Sequence, residues 1–559
     1  MRREMACKSV GQSDNHKIRE MVHAIRVLET ILEIPIGIGK PIIFMRNHFS
    51  LFLRAMPAAL VRVFLMVYLA GGMKVSAQVV TNTADSGPGT LRYAIADAAN
   101  GAIITFASNL SAATITLAST LDINTSLTID ASALPDGIQI SGNGSVEIFN
   151  VISDITISLN SLTLTNGSAG AGGGIDNNGT LTMTSCTLSG NRANDLQGGG
   201  IYNTGTLALN ECTLSGNSTS AAGGGICNVQ GTMTLNQCTL SGNSATHDGG
   251  GIYNYGTLVL NECNLSENNT DESGGGILNS GTLTITNCTL LGNNAKNGGG
   301  GAGIYNALGT LTLYQCTLSD NNADSGACGG IYIDYGTLTL DQCTLSGNSA
   351  DYGGGGIENV YGVVTITNTI VAGNSAQLGA DILDFSTLTY GGSNIVQSVY
   401  NYNNQGTING PTPLTNAPDL APPGNYGGPT QTMPPLPDSP AIGAGSVAAN
   451  SFATDQRGYP RMQNGRIDIG AVEVQSRVAN PPVLGNITML TGGGANGLQF
   501  TFTNAPAADF TVLTATDVSL ALTDWTVLGE VQQVAPGQYQ FTDPQATTNT
   551  GRFYRVRSP

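Results

Sequence analysis

The chain has 559 residues, of which 75 are glycine and only 11% are charged, and its formal net charge is −17. This composition argues against an ordinary helical globular protein. Because 11 of the 21 lysine and arginine residues lie in residues 1–77, the rest of the chain is strongly acidic and repels phosphate backbones. We therefore expect no nucleic acid among its partners.

The basic N-terminal segment has the layout of an export signal. Arg46, Arg54 and Arg62 precede an apolar run at 63–70 and the small residues at 75–77. This arrangement predicts a secretory signal peptide cleaved after Ala77. A membrane anchor is the alternative, but the apolar run is shorter than the roughly 20 residues that span a bilayer. We therefore predict a secreted, extracellular or outer-membrane-surface protein with no transmembrane domain in the mature chain.

A short helix is predicted directly before the first β-rich segments. In the stretch GTLRYAIADAAN, Leu91, Ile95 and Ala98 share one helical face behind Thr90, which is a suitable N-cap. Such a helix would close the open end of a stack of strands, which otherwise presents unpaired edges.

The central region repeats one phrase eight times. Each copy contains three short segments in which apolar and polar residues alternate, a pattern typical of strands with one buried face. Coils of about 26 residues with three strands each predict an all-β, right-handed parallel β-helix whose coils rise by ~4.8 Å. The copies align on isoleucines spaced 25 to 27 residues apart: Ile175, Ile201, Ile226, Ile252, Ile277, Ile304, Ile331 and Ile357.

In such a stack, identical side chains lie over one another. Asparagines two places after the isoleucines predict a ladder of side-chain amides. The ladder comprises Asn203, Asn228, Asn254, Asn279 and Asn306, with Asn177 and Asn359 at its ends. A cysteine column is predicted to hold buried free thiols, because stacked Cβ atoms ~4.8 Å apart exceed the ~3.8 Å of a disulfide. Its members are Cys186, Cys212, Cys238, Cys263, Cys288, Cys316 and Cys343.

Two carboxylates are weak candidates for catalysis. Glu211 and Glu262 occupy the same outward position two coils apart, so their spacing of ~9.6 Å is near the upper limit for an inverting glycosidase. The alternative is that both are solvated acids in a polar column. Residues 171–400 contain only Arg192 and Lys296 as cations, which argues against a lyase that must neutralise a uronate.

Two further columns are candidates for binding. Aromatic rings on a flat sheet can stack on sugars, although such rings can also merely cover the surface. The rings are those of Tyr202, Tyr253, Tyr305 and Tyr332. A string of carboxylates near the glycine corner can gather Ca²⁺, or can serve solubility alone. These are Asp195, Asp248, Asp271, Asp324 and Asp351, and no other cofactor site is predicted.

The chain resembles a known family at both ends of the repeat region. The stretch VTNTADSGPGTLRYAIADA at 80–98, with NYGGPTQTMPPLPDSPAIGAG and TDQRGYPRMQNGRIDIGAVE within 425–473, is similar to exported bacterial β-helix proteins with a choice-of-anchor Q region. The GGGI and LSGN elements are similar to the polymorphic outer-membrane protein repeat, with leucine replacing its phenylalanine. The resemblance implies export, a β-helical stalk and a role at the cell surface.

The last residues alternate like a small β-sandwich, with Trp525 as its predicted core. The predicted parts are an upstream mis-assigned segment at 1–44, a signal peptide at 45–77, an N-terminal cap at 78–100, a parallel β-helix at 101–390, a choice-of-anchor Q-like tail at 391–475 and a β-sandwich module at 480–559.

We predict a structural or adhesive surface protein without a catalytic site. Its partner is expected to be an extracellular glycan or the surface of a host or neighbouring cell. The alternatives are a polysaccharide lyase or glycoside hydrolase, and a carbohydrate-binding surface protein.

Overall fold

The computed structural model describes residues 77–297, 299–475, 484–490, 497–503, 510–520, 524–535, 538–546 and 552–557. The upstream segment, nearly all of the predicted signal peptide and the linker at 476–483 lie outside the described residues. Within the described part, no helix is both long enough and apolar enough to cross a membrane.

The repeats form a parallel β-helix, which confirms the predicted fold class. Equivalent residues pair across successive coils without a shift, so that Ile201 pairs with Ile226 and Ile226 with Ile252. The eight isoleucines are fully buried and form one file along the axis. Each coil therefore buries its apolar face only against its neighbours, as expected for a solenoid.

The coils build four sheets, numbered here in the order in which a repeat coil meets them after its glycine corner. Sheet 1 has twelve strands. They are Leu121–Ile123, Phe149–Val151, Ile175–Asn177, Ile201–Asn203, Ile226–Asn228, Ile252–Asn254, Ile277–Asn279, Ile304–Ala307, Ile331–Asp334, Ile357–Val360, Ile382–Asp384 and Val399–Asn401.

Sheet 2 follows and has fourteen strands. They are Ala77–Val80, Ala102–Phe106, Leu127–Asp130, Thr156–Asn160, Thr180–Thr184, Thr206–Asn210, Thr232–Asn236, Thr257–Asn261, Thr282–Thr286, Thr310–Tyr314, Thr337–Asp341, Val363–Thr367, Thr387–Gly391 and Thr407–Asn409.

Sheet 3 has twelve strands. They are Thr114–Thr116, Ile138–Ser141, Leu162–Thr165, Thr187–Ser189, Thr213–Ser215, Thr239–Ser241, Asn264–Ser266, Thr289–Leu291, Thr317–Ser319, Thr344–Ser346, Ile370–Val371 and Ile395–Val396.

Sheet 4 was not predicted, and its eight strands have only two residues each. A pair of residues is too short to show the alternation that marks a strand. The strands are Ser168–Ala169, Arg192–Ala193, Ser218–Thr219, Ser244–Ala245, Asn269–Thr270, Asn294–Ala295, Asn322–Ala323 and Ser349–Ala350.

Three corners of the coil use left-handed backbone, and one of them follows sheet 3, where Gly242 has φ 61°. Gly198, with φ +79°, begins the turn into sheet 1, where an added Cβ would lie 2.4 Å from the carbonyl oxygen of Ile201. The corner between sheets 2 and 3 instead uses polar residues, including Glu211 and Glu262 with φ 54° each. Non-glycine residues adopt this conformation at some cost, so the surrounding pairing must hold it in place.

Buried asparagines form two hydrogen-bonded ladders along the axis. In the ladder after sheet 1, Asn203 Nδ2 donates to Asn228 Oδ1 at 2.7 Å, and Asn228 donates to Asn254 at 2.8 Å. Ile333 interrupts this ladder, since it occupies the asparagine position between Asn306 and Asn359.

The ladder at the corner after sheet 3 runs without interruption from Asn191 to Asn374. Asn268 is typical of it. Its Oδ1 accepts from both the backbone N–H and the Nδ2 of Asn243 at 3.1 and 2.9 Å. Its Nδ2 donates to Asn293 Oδ1 at 3.0 Å and to the Leu240 carbonyl at 2.9 Å. Both polar atoms of the buried side-chain amide therefore find two partners each, as a buried amide requires.

Both ladders end on an aspartate. Asn359 Nδ2 donates to Asp384 Oδ1 at 2.7 Å, and Asn374 Nδ2 donates to Asp381 Oδ1 at 3.0 Å. Each rung donates toward the C-terminal neighbour, so the final member needs only to accept.

The cysteine column lies inside the stack. All seven of its thiols are buried and free, and Cys227 and Cys328 are two further buried free cysteines of the described part. Successive members make polar contacts, with the Cys263 N–H donating to Cys288 Sγ at 3.2 Å. Burial raises the pKa of the Cys316 thiol well above its ordinary value, which disfavours the reactive thiolate.

The N-terminal end of the stack carries helix α1, Leu91–Ala96. Thr90 is its N-cap, and the Thr90 side chain accepts from the N–H of Tyr93. Leu91, Ala94 and Ile95 are buried. Two 3₁₀ turns, Ser108–Leu110 and Tyr402–Asn404, lie near the two ends of the stack.

Residues 410–475 form a strap that runs back over sheet 3. Thr317 Oγ1 donates to Gln456 Oε1 at 2.7 Å, and Gln342 Nε2 donates to Asn450 Oδ1 at 2.6 Å. The strap is irregular apart from the 3₁₀ turn Val447–Ala449, and it contains a buried ion pair in which Arg457 lies 2.8 Å from Asp455. The strap therefore covers the corner column from Asn287 onward, where Thr430 Oγ1 donates to the Asn287 carbonyl at 3.0 Å.

The C-terminal region consists of antiparallel strands. One sheet has Leu484–Leu490, Gly497–Thr503, Gln532–Ala535 and Gln538–Asp543, and the other has Thr511–Ala515, Thr526–Glu530 and Phe553–Arg557.

The two C-terminal sheets share a core in which Phe502 and Phe510 meet edge to face at 4.9 Å. Trp525, predicted to form this core, instead packs separately with Leu513 and Ala515. Trp525 is therefore buried in a core cluster of the C-terminal region, but the larger cluster is formed by Phe500, Phe502, Phe510, Val512 and Tyr539.

The uninterrupted asparagine ladder should contribute strongly to stability. We expect Asn268→Ala to lower the free energy of unfolding by about 1–3 kcal/mol, because it leaves buried N–H and carbonyl groups without partners. The control is Asn269→Ala, which removes only the bond of Asn269 Nδ2 to the exposed Glu267 carbonyl. Urea unfolding followed by circular dichroism measures both, and equal midpoints would contradict the role of the ladder.

The cysteine column should be chemically silent in the folded protein. In residues 78–559, we expect no thiol to react with a water-soluble disulfide reagent under native conditions, because all nine are buried. In denaturant, all nine should react. Rapid labelling of the native protein, or fewer than nine thiols after unfolding without reductant, would show that the thiols are exposed or paired.

Candidate functional site

Sheet 1 presents a column of aromatic rings to solvent. Its three-residue strands place an isoleucine and an asparagine inside and the middle residue outside, as the period of two requires. The structure places all four predicted tyrosines in this middle position, half-buried. Tyr305 and Tyr332 stack with ring centroids 5.1 Å apart and an interplanar angle of 11°.

A second aromatic column, missed in the sequence, follows sheet 1 in the turn toward sheet 2. Tyr255, Tyr335 and Tyr361 are exposed to 52%, 60% and 60%. Tyr335 stacks on Tyr361 at 4.8 Å, and Tyr255 lies 4.9 Å from Tyr253 of the first column. The turn varies by one residue between coils, so these rings have no constant spacing from the isoleucines. The sequence does contain a signal for this second column, namely an aromatic residue just beyond several of the sheet 1 segments.

We call the two columns together the tyrosine face. Its members are Tyr202, Tyr253, Tyr255, Tyr305, Tyr332, Tyr335 and Tyr361, and Phe385, Tyr400 and Tyr402 continue it at the C-terminal end.

Carboxylates lie beside the first aromatic column. Tyr305 Oη donates to Asp334 Oδ2 at 3.3 Å. Glu358 occupies the position of Tyr332 in the next coil. Burial, with Asp334 as a lesser cause, raises the pKa of Tyr305 to about 12. These tyrosines therefore remain protonated at neutral pH and can donate hydrogen bonds.

Two acids of the tyrosine face, Glu358 and Glu147, have pKa values that burial raises. Glu358 is only 6% exposed, and its Oε2 accepts from the Gly354 N–H at 3.1 Å. Burial raises the pKa of Glu358 to about 7. Glu147 lies at the N-terminal end of the face, where burial first, and the nearby Asp176 and Asp122 next, raise its pKa to about 8.

Glu147 was not singled out in the sequence, because it lies in an early coil that lacks the repeated phrase. Its Oε1 has no hydrogen-bond partner among the described residues. Asp176 pairs in register with Tyr202, so this acidic group borders the first ring of the column.

The candidate catalytic pair, Glu211 and Glu262, lies two coils apart in one column, and each acid contacts a polar neighbour. Glu211 Oε2 accepts from Ser185 Oγ at 3.1 Å, whereas Glu262 Oε2 accepts from Gln237 Nε2 at 2.7 Å. Gln237 lies between the two acids, and all belong to the left-handed corner column. The positions are therefore set by the corner conformation and by contacts along the column.

A small cleft opens beside this corner where the strap begins to cover sheet 3. Its volume is about 310 Å³, and Thr239, Asn264 and Thr289 line it on one side and Pro429 and Gln431 on the other. No charged side chain lines it.

The five candidate calcium ligands make separate local contacts. Asp271 lies 3.8 Å from Lys296, and Asp351 Oδ2 accepts from the Ser325 N–H at 2.8 Å. Asp248 accepts from the Ser273 N–H and Asp324 from Asn322. In the described part of the chain, no three acidic, histidine or cysteine side chains converge on one point, and Asp195 is exposed.

Comparison with known proteins identifies the fold of the central coils. A family profile described as a right handed beta helix region matches residues 200–376. A search of curated proteins finds no match.

Two solved structures are similar to the chain. Pectate lyase Pel9A shares 14% identity over 72% of this chain and 97% of its own, with a TM-score of 0.39. The tailspike protein gp49 from Acinetobacter baumannii bacteriophage Fri1, a capsular polysaccharide depolymerase, shares 11% identity over 86% of this chain and 84% of its own, with a TM-score of 0.31. The family profile assigns residues 200–376 to a right-handed β-helix region.

The raised pKa of Glu147 should make stability depend on pH. An acid whose pKa is about 8 when folded and about 4.5 when unfolded stabilises the fold at low pH, and this contribution is lost as pH rises toward 8. We therefore expect Glu147→Gln to be more stable relative to the parent at pH 9 than at pH 5. The control is Glu267→Gln at an exposed corner. Parallel urea midpoints for parent and Glu147→Gln across this range would contradict the assignment.

Proposed function

We propose that this protein is an exported β-helix that binds a polysaccharide along its tyrosine face and carries out no catalysis there. The observation that supports this proposal most directly is the pair of adjacent aromatic columns on sheet 1 and its following turn. Large exposed aromatic groups gathered on one surface are typical of binding sites rather than of bare solvent-facing surface.

The geometry of the face suits an extended ligand. The rings repeat along the axis with the coils, at multiples of ~4.8 Å, and the paired backbone beneath them is rigid. A preformed surface loses little conformational freedom on binding, which favours affinity even when each contact is weak. The phenolic hydroxyls add hydrogen-bond donors and acceptors that match sugar hydroxyls.

The location of the protein is part of the same proposal. A basic segment, a short apolar run and small residues before position 78 support export. The resemblance of residues 80–98 and 425–473 to exported β-helix proteins with a choice-of-anchor Q region points the same way. We propose that the strap, which has that resemblance, serves to cover sheet 3 while sheet 1 stays free for ligand.

Binding should depend on the stacked ring pair. We expect Tyr305→Ala combined with Tyr332→Ala to weaken binding of the recognised polysaccharide by roughly five- to 150-fold, since two ring contacts are lost at about 0.5–1.5 kcal/mol each. A glycan array with the mature chain identifies the ligand, and affinity electrophoresis or calorimetry measures the change.

The matched control is Tyr93→Ala, which removes an exposed tyrosine from helix α1. It should bind like the parent protein. If no glycan binds, or if the Tyr305 and Tyr332 double variant binds as tightly as the parent, the proposed function is wrong.

One observation favours a second function, the hydrolysis of a glycan at the N-terminal end of the tyrosine face. Glu147 keeps its proton near neutral pH and lies beside Asp176, and glycoside hydrolases use two carboxyl groups of which one is protonated. In this scheme, Glu147 donates its proton to the oxygen of the leaving sugar and Asp176 acts as the second carboxylate.

A reducing-sugar assay across a polysaccharide panel separates the two functions. Activity that is lost in Glu147→Gln and kept in Glu262→Gln would establish the hydrolase and overturn the non-catalytic proposal. Formation of unsaturated uronates would instead indicate a lyase.

A further inference from the structure

Each tyrosine of the first aromatic column has a carboxylate neighbour. Asp176 pairs with Tyr202 across adjacent coils, and Glu358 pairs in the same way with Tyr332. The other two tyrosines of the column, Tyr253 and Tyr305, also have a carboxylate nearby. Asp248 lies close enough to Tyr253 to contribute to the raised pKa of its hydroxyl, and Asp334 accepts a hydrogen bond from Tyr305 at 3.3 Å.

These carboxylates come from different parts of the coil. Asp176 and Glu358 occupy the column position itself, whereas Asp334 ends a sheet 1 strand and Asp248 belongs to the loop before the next one. The acids therefore lie beside the rings in space, although they do not occupy one repeated position in the sequence.

Basic side chains do not balance these acids. In residues 171–400, the only lysine and arginine are Lys296 and Arg192. Lys296 lies 3.8 Å from Asp271, and Arg192 is on a strand of sheet 4, away from the middle position of sheet 1. His247 contacts Glu272 at 2.9 Å. A uronate carboxylate approaching this face would therefore meet like charges and no described lysine or arginine on sheet 1.

Ring faces and carboxylates together attract the same kind of group. An ammonium ion is drawn to the negative face of an aromatic ring and forms charge-assisted hydrogen bonds with a carboxylate. Tyr305, Tyr332 and Asp334 bring both features into two adjacent coils.

We infer that the tyrosine face selects polysaccharides that carry protonated amino groups, of the glucosamine type, over polyuronates. This inference rests on the proposed function, because it names the ligand class of the same surface. The outward surfaces of the rings contact the sugars, and Asp334, which lies beside Tyr305, pairs with an ammonium group of the chain.

Two matched ligand pairs test the inference on the unaltered mature chain. Glucosamine oligomers and their N-acetylated counterparts have the same backbone and differ in positive charge. Fully methyl-esterified and de-esterified galacturonan have the same backbone and differ in whether each carboxyl group is a neutral methyl ester or a negative carboxylate. We expect glucosamine oligomers to bind at least tenfold more tightly than the N-acetylated forms at low salt. We expect the esterified galacturonan to bind more tightly than the charged one.

Variants assign the preference to named residues. Asp334→Asn should reduce the ratio of glucosamine to N-acetylglucosamine affinity by about three- to tenfold. The ratio should be unchanged in Glu267→Gln, whose carboxylate lies at the corner after sheet 3. Because the readout is a ratio between two ligands, a general loss of folded protein does not alter it.

The outcomes separate this inference from the proposed function. Equal binding of the amine and N-acetyl forms, or tighter binding of polyuronate, overturns the amine preference. If such binding still depends on Tyr305 and Tyr332, the proposed function stands. If none of the four ligands and no glycan on the array binds, both proposals fail.

Discussion

Buried asparagine amides constrain the arrangement of the coils more strictly than apolar contact does. An isoleucine can slide along its neighbours at modest cost, whereas Asn268 must meet Asn243, Asn293 and Leu240 at once to satisfy its polar atoms. The ladder therefore fixes the register of every coil it passes through. Once register is fixed, the side chains on the outer surfaces fall into columns as a consequence.

This dependence explains what the sequence could predict. The constant spacing of the isoleucines was enough to predict the β-helix, the asparagine ladder and the first column of tyrosines. Tyr335 and Tyr361 escaped because the turn that holds them changes length, and Glu147 escaped because its coil lacks the repeated phrase. The strap packs through contacts that do not repeat from coil to coil, such as that of Gln456 with Thr317. Such contacts leave no periodic pattern in the sequence.

The outer surfaces of the stack have different roles because their neighbours differ. Sheet 3 receives the strap over its later coils, so its corner column ends under Thr430, Asn450 and Gln456. Sheet 1 carries large rings that the described strap contacts do not involve, and its acids lie beside those rings. The same repeated backbone thus supports a covered structural surface and an open aromatic one, and the distinction arises from outward residues that the core does not constrain.

The aspartates at the ends of both ladders give the stack a direction. An asparagine passes a hydrogen bond onward, but the carboxyl groups of Asp381 and Asp384 have no amide N–H to offer a further coil. Duplication of a repeat within the array would therefore extend the rod without penalty, while a repeat copied beyond Asp384 would lack its incoming bond. The number of coils can therefore change in evolution by duplication inside the array.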